Sequence, residues 1–403
     1  MKKTTYILFA AVFALSLCSC SSTENNEVQQ DCIGLWGSTW YEDGMFYERH
    51  NSDGESVLCY YSKDSDSSAV MCGLPECTHS SKTSPNCGAL CDSNTYSRCG
   101  YNRIGTKLYF IAEQNVDRDT MGSVDLIECD IDGKNRRVIA SMENTNLPFI
   151  TDVQYSDDHI LITYYQNFDF VENENTGENE FVYLDKHRFY IKRIEISTGN
   201  IETLVYREEY SGMGSGTVYG NILYYTLNYY ATEVSGDEPL TPETAPPRQC
   251  EFCIRDLSTG EEKVYKDMAG YSPVFCNFSP DRIIVCDRKT GKLCRFNSET
   301  EAFTDIADFN QGSYTEDGTD ALFLPSGDAE FMIRYNFESG EISQIPFSKD
   351  KDIYPSLTHI VGNTAWTTFN NPDGDLLNAY IDRDDFFEGK FENFKIIKEA
   401  ELQ

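Results

Sequence analysis

Positive charge is scarce in this chain. Across 403 residues Lys and Arg number 33 against 66 Asp and Glu, a formal charge of -33. Binding phosphate needs clustered cations, so a nucleic-acid-binding surface is excluded, as is docking on anionic lipid through a basic patch. Histidine is scarcer still, with five copies, which limits chemistry resting on several imidazoles. No G-x-S-x-G elbow, G-x-G-x-x-G turn or Walker loop occurs. The nearest approach, GMGSGTVYG from Gly212, has Met213 and Thr217 where an elbow needs glycine. It reads as a flexible loop entering a strand at Ile222. Beyond the first residues no apolar run is long enough to span a bilayer. Helical periodicity is nearly absent; only Asp384 to Phe394 suits a short helical turn. What is present is 40% hydrophobic and 13% aromatic residues, enough for a globular body. The length fits two or three ordinary domains or one large repeat-built domain.

Residues 1–19 read as a leader. Lys2 and Lys3 precede an apolar run from Tyr6 to Leu17, the length of a secretory core rather than a membrane span. Leu17-Cys18-Ser19-Cys20 resembles a bacterial lipobox, with an aliphatic residue at minus three and a small one at minus one. Cys18 has bulky Leu17 just before it, so cleavage is expected after Ser19 with the lipid on Cys20. An ordinary signal peptide is the alternative. Residues 20–34 then form a lipidated polar tether, and residues 35–398 the body. The expected location is the cell membrane, lipid-anchored and facing the extracytoplasmic side.

The body repeats. A strand, a Ser/Thr/Ser-Gly turn and a second strand recur in IEISTGNIETLV from Ile194, IRDLSTGEEKVY from Ile254 and RYNFESGEISQI from Arg334. Weaker copies start at Glu128 and Cys294. Before each comes a Gly or Asp turn and an aromatic or β-branched strand, as in GTKLYFIAE, DDHILITYY, GNILYYTLN, PDRIIVCD, GTDALFLPS and GNTAWTTFN. Glycine supplies the turn and the flanking alternation supplies two half-buried strands. A degenerate first copy begins at Gly44. Seven units of about 50 residues match a propeller blade. The expected fold is all-β, a seven-bladed β-propeller with an N-terminal lipoprotein signal peptide; six or eight blades are the alternatives, as are two stacked sandwiches. Face-to-face blades bury their apolar faces and shorten their exposed edges.

These phrases resemble the TolB-like propellers, above all FSPD at Phe278–Asp281. They also resemble an uncharacterised bacterial family likened to the propeller of LDL-receptor-related protein, through DIDGKN at Asp130–Asn135. The segment MCGLPECTHSSKTSPNC from Met71 is similar to a Cys-rich insertion of secreted lipoproteins from gut Firmicutes. No YWTD phrase and no Trp-Asp or Gly-Gly dipeptide occurs, which sets the chain apart from LDL-receptor, WD-repeat and kelch propellers. The resemblance implies a fold and says little of activity.

Fifteen cysteines are many. Five crowd into an insertion at 72–99: Cys72, Cys77, Cys87, Cys91 and Cys99, with His79 two residues after Cys77. Cys72, Cys77, His79 and Cys87 have a donor set suited to one structural zinc. Disulfides and free thiols are the alternatives. Cys250 and Cys253 lie three apart in a strand and face opposite sides, so burial suits them better than bonding. Cys286 and Cys294 flank a hairpin and are candidates to face each other, with burial again suiting them better than bonding. Acid pairs at Asp382–Asp385 and in NNPDGD from Asn370 read as solvated turns rather than calcium ligands. The long segments around 167–186 and 228–249 are acidic loops that would line a ligand rim if they share one face.

No catalytic constellation is visible in the linear sequence. The expected function is therefore non-catalytic binding of an extracellular protein, peptide or glycan at the cell surface. The rivals are a propeller hydrolase or lyase acting on an extracellular polymer, and a structural subunit of an envelope complex. A hydrolase or lyase would bring acids together at the propeller axis with perturbed ionisation.

Overall fold

The computed structural model describes residues 33–402 except 36–37, 75, 92–99, 115–122, 144–148, 157, 173–178, 234–245, 267, 275–282, 288, 310–311, 317–318, 326–329, 347–356 and 371–375. The leader, Cys20, most of the tether, Cys99, FSPD and most of NNPDGD lie outside the described residues. Among those described, no helix is long and apolar enough to cross a membrane.

Seven antiparallel sheets follow one another along the chain as a seven-bladed β-propeller. Blade 1 is built on Ser38–Tyr41, Gly44–His50, Ser56–Ser62 and Ser67–Val70, with Ile33–Leu35 and Leu90–Cys91 added at its margins. Blades 2 to 7 begin at Asn102, Phe149, Met213, Tyr271, Gly312 and Leu357 and hold four strands each. The first strands of neighbouring blades approach one another, as between blades 3 and 4, 6 and 7, and 7 and 1, which places them nearest the axis.

Alternation explains the packing. In the second strand of blade 4, Leu223, Tyr225 and Leu227 join the core shared with blade 3, while Tyr224 joins the core shared with blade 5. Both faces are buried, so the strand reads ILYYTLNYY rather than apolar-polar. Cys250 and Cys253 separate in the same way into these two cores. Cys286 and Cys294 do not face each other: Cys286 pairs with Leu293 and Cys294 with Val285, and the two thiols enter different cores.

The repeated turns share one geometry. Gly199, Gly260 and Gly340 have φ of 72°, 74° and 70°, and their amides donate to Glu195, Asp256 and Asn336 carbonyls at 2.8, 2.8 and 2.9 Å. Left-handed backbone favours glycine, and so the Gly recurs. The segment from Met213 is not a loop: Met213–Tyr219 is the first strand of blade 4. Its glycines serve close approach, since a Cβ on Gly214 would lie 2.0 Å from the Thr226 carbonyl and one on Gly216 2.6 Å from Ile191 Cδ1. The acidic stretch after Gln166 is largely strand as well, continuing the hairpin His159–Glu172 and Asn179–Glu195 of blade 3. Arg383–Phe387 is a short helix capped by Asp382, whose side chain accepts from the Asp384 amide.

No described sheet mixes strands from the two ends of the chain. The seam between blades 7 and 1 is held by side chains instead. The Trp366 indole N–H donates to the Tyr41 carbonyl at 3.0 Å, the Tyr61 and Tyr380 hydroxyls meet at 3.4 Å, and Lys63 bonds Thr364. Beyond the last strand the chain crosses to blade 1, where the Ala400 amide donates to the Tyr47 hydroxyl at 2.8 Å and Glu399 pairs with Arg49 at 3.1 Å.

Candidate functional site

The structure gathers Cys72, Cys77, His79 and Cys87. Their ligand atoms all lie within 4.8 Å of one another, and His79 Nδ1 is 3.4 Å from Cys87 Sγ. Zinc bonds of ~2.3 Å to sulfur and ~2.0 Å to nitrogen put tetrahedral ligand atoms roughly 3.5–3.8 Å apart. A small contraction of the group reaches that geometry, so the cluster can bind a metal. Cys91 points elsewhere, its Sγ 3.1 Å from the Tyr101 hydroxyl. Cys72, Cys77 and Cys87 are not in disulfides.

Local backbone makes the cluster. Glu76 and His79 are left-handed, with φ of 63° and 55°, and turn the chain back on both sides of Cys77. The Ser80–Ser84 turn closes through the Ser84 amide, which donates to the Ser80 carbonyl at 2.7 Å, and Cys87 N donates to the Ser84 carbonyl at 3.0 Å. From blade 1, Asn51 Nδ2 donates to the His79 carbonyl at 2.6 Å, and Asp53 pairs with Lys82 at 2.5 Å. From blade 2, Arg136 donates to the Gly88 and Leu90 carbonyls, each at 2.8 Å.

Burial alone would raise the Cys77 thiol. Hydrogen bonds from the His79 backbone, Ser84, Cys87 and Cys72 outweigh it and hold Cys77 below the usual thiol range. Burial pushes Cys87 up to about 12, and it depresses His79, keeping the imidazole neutral as a ligand must be.

A second feature had no motif. Asp152 lies on the first strand of blade 3, Phe149–Tyr155. Val153 packs into the core between blades 2 and 3, so alternation turns Asp152 and Gln154 toward blade 4. Gln154 accepts from the Val218 amide at 2.8 Å, and Thr151 donates to the Gly214 carbonyl at 3.0 Å. Asp152 sits between these cross-links, open to solvent at the residue level yet densely surrounded by protein. That desolvation raises its carboxyl to about 6, offset only by the Val153 amide. The available signal was an acid in an otherwise uncharged strand.

The histidines do not converge. His50 meets Ser56, His159 pairs with Asp158, and His187 stacks on Tyr165. His359 is buried and stacked on Trp40, and burial lowers it to about 4.

No family model matches the chain. No curated protein matches it either. Solved structures do. A puromycin-hydrolysing peptidase of Mycobacterium tuberculosis is similar at a TM-score of 0.56 and 12% identity, over 95% of this chain and 56% of that one. The propeller domain of the Trilobed protease from Pyrococcus furiosus, described as an open velcro topology, is similar at 0.50 and 12%, over 93% and 98%. TolB from Acinetobacter baumannii is similar at 0.39 and 14%, over 87% and 78%. The chain thus spans little more than half the length of the peptidase it matches. The first two likenesses show the propeller fold.

They also correct the expectation of a non-catalytic binding scaffold, since propellers of this shape belong to peptidases. That expectation rested on the missing linear motif. A propeller brings together residues from distant blades, so such a motif is not required.

Proposed function

We propose that the chain is an exported, lipid-anchored propeller hydrolase that cleaves peptide-like amide bonds at the inner wall of its ring. Asp152 is the general base, and Cys72, Cys77, His79 and Cys87 hold one structural zinc. The observation that carries this reading is a carboxyl on a first strand near the axis, placed between two cross-links to blade 4. Raised to about 6, it is ionised at neutral pH and basic enough to take a proton from the attacking water. The likeness to a puromycin-hydrolysing peptidase supports the amide substrate. Four protein ligands leave the zinc no open position, so its role is structural.

The test is hydrolysis of puromycin and aminoacyl amides by the full chain. Asp152 loses its proton as pH rises, so kcat/KM climbs through about 6 and then levels. Asp152→Asn lowers kcat by about 10²–10⁴-fold. No turnover at any pH between about 4 and 9 sinks the reading.

The anchor has its own check. A Cys20→Ala variant expressed in a bacterial host is expected in the medium; retention in the membrane fraction removes Cys20 as the lipid site.

A further inference from the structure

We propose that the metal centre is the clasp of the propeller ring, holding blade 7 against blade 1. This rests on the zinc reading of Cys72, Cys77, His79 and Cys87.

Among the described residues no strand is shared between the first and last blades, and side-chain contacts hold the seam. One apolar cluster spans it. Trp40, Met45, Tyr47 and Tyr61 of blade 1 pack with Val361, Trp366 and Tyr380 of blade 7. The same cluster contains Cys87, Ala89 and Leu90 from the Cys-rich loop and Ile397 and Ala400 from the tail, with Cys72, Cys77 and Leu402 at its margin. The tail therefore shares its apolar seat with the loop that carries the four ligands. Arg136 of blade 2 grips the far end of that loop at Gly88 and Leu90. The loop thus joins blade 2, through Arg136, to the apolar cluster that spans the seam.

The loop contributes few apolar side chains and is left-handed at Glu76, next to Cys77, and at the ligand His79, a strained arrangement that surrounding structure must enforce. A soft divalent cation does so: three thiolates and an imidazole select zinc, and binding free energy becomes folding free energy for the loop. Removal of the ion frees Cys72 and Cys77 from the edge of the cluster. Ile397, Ala400 and Leu402 then lose one wall of their seat, and the seam rests on blade-to-blade contacts alone.

The experiment uses the full chain, reduced and solubilised in detergent. Metal content is measured, zinc is stripped with a thiol-reactive mercurial and a chelator, the mercurial is removed with excess thiol, and amide exchange is followed. The expected result is about one zinc per chain. Stripping should speed exchange in residues 397–402 by about tenfold or more, leave Ile222–Tyr230 of blade 4 unchanged, and be reversed by added zinc. Cys72→Ser should reproduce the stripped state; should that variant misfold, the stripped wild-type chain still decides. Arg49→Ala, which removes the Glu399 pair, should loosen the tail while keeping its zinc. Zinc that binds but leaves tail exchange unchanged on removal overturns the clasp and spares the zinc reading. Equal loosening of all blades also overturns the clasp, making the ion a general staple. A reduced chain that binds no zinc overturns both.

Discussion

Trp366→Ala is expected to cost about 3–5 kcal/mol, among the largest losses available to one side chain here. The indole is fully buried. It packs edge-on to Tyr61 with ring centres 6.4 Å apart and tilts against Tyr380 at 5.2 Å. Its N–H is bonded to the Tyr41 carbonyl across the seam. Truncation leaves a cavity where two blades meet and removes a hydrogen bond across the seam. Trp366→Phe keeps much of the apolar contact and should cost less. The measurement is a urea unfolding midpoint together with amide exchange resolved by blade. Loss of protection should concentrate in blades 1 and 7. A uniform loss over all seven blades would contradict the view that the ring is weakest at its seam.

Asp320→Ala is the second. This carboxylate is completely buried at the start of the second strand of blade 6. It accepts from Arg334 at 2.9 and 3.0 Å, from Arg383 at 2.9 Å and from Asn336 at 2.9 Å. Both guanidinium groups lie over the Phe387 ring, 3.9 and 5.1 Å from its centre. One carboxylate thus joins blade 6 to the helix that follows the third strand of blade 7. Removing one partner of a buried ion pair costs roughly 3–5 kcal/mol. The lower end applies, because the two arginines are 31% and 24% exposed and keep some access to water. Asp320→Asn retains acceptor capacity on one oxygen and should fall between alanine and wild type. Calorimetry of the three proteins checks this order. An alanine variant as stable as wild type would mean that water solvates both arginines without loss.

Much of the architecture was legible because the repeat is a local signal. The Ser/Thr/Ser-Gly turns mark positions where the backbone must be left-handed, and Gly199, Gly260 and Gly340 occupy them. Where the repeat faded at Cys294, the turn persisted without glycine, and Glu301 takes φ of 54°. The metal-type cluster was legible too, since Cys and His are rare donors and four of them fall within 16 residues. Asp152 was not. Its raised ionisation comes from protein packed around it, and nothing in FITDVQY records which blades lie alongside. Cys286 and Cys294 are buried, but that they do not face each other was hidden for a related reason. Their pairing register is offset by one residue, and a shift of one sends side chains to opposite faces. The first strand of blade 4 was mistaken for a loop because its glycines make room for Phe189 and Ile191, a requirement set by the neighbouring blade.

The contiguity of each blade bears on how the ring is assembled. Every described sheet draws on one stretch of sequence, so its pairings are complete once that stretch is available. Contacts of short sequence separation form fast, because little loop entropy is lost in making them. Blades can therefore accrete in order from the amino-terminal side, each using its predecessor as a template for one face, as in a linear repeat array. The contacts between Trp366 and Tyr41 and between Ala400 and Tyr47 span more than 300 residues and must form last. Until they do, blade 1 presents Trp40, Met45 and Tyr61 to solvent, and an arc of six blades is the species most exposed to aggregation.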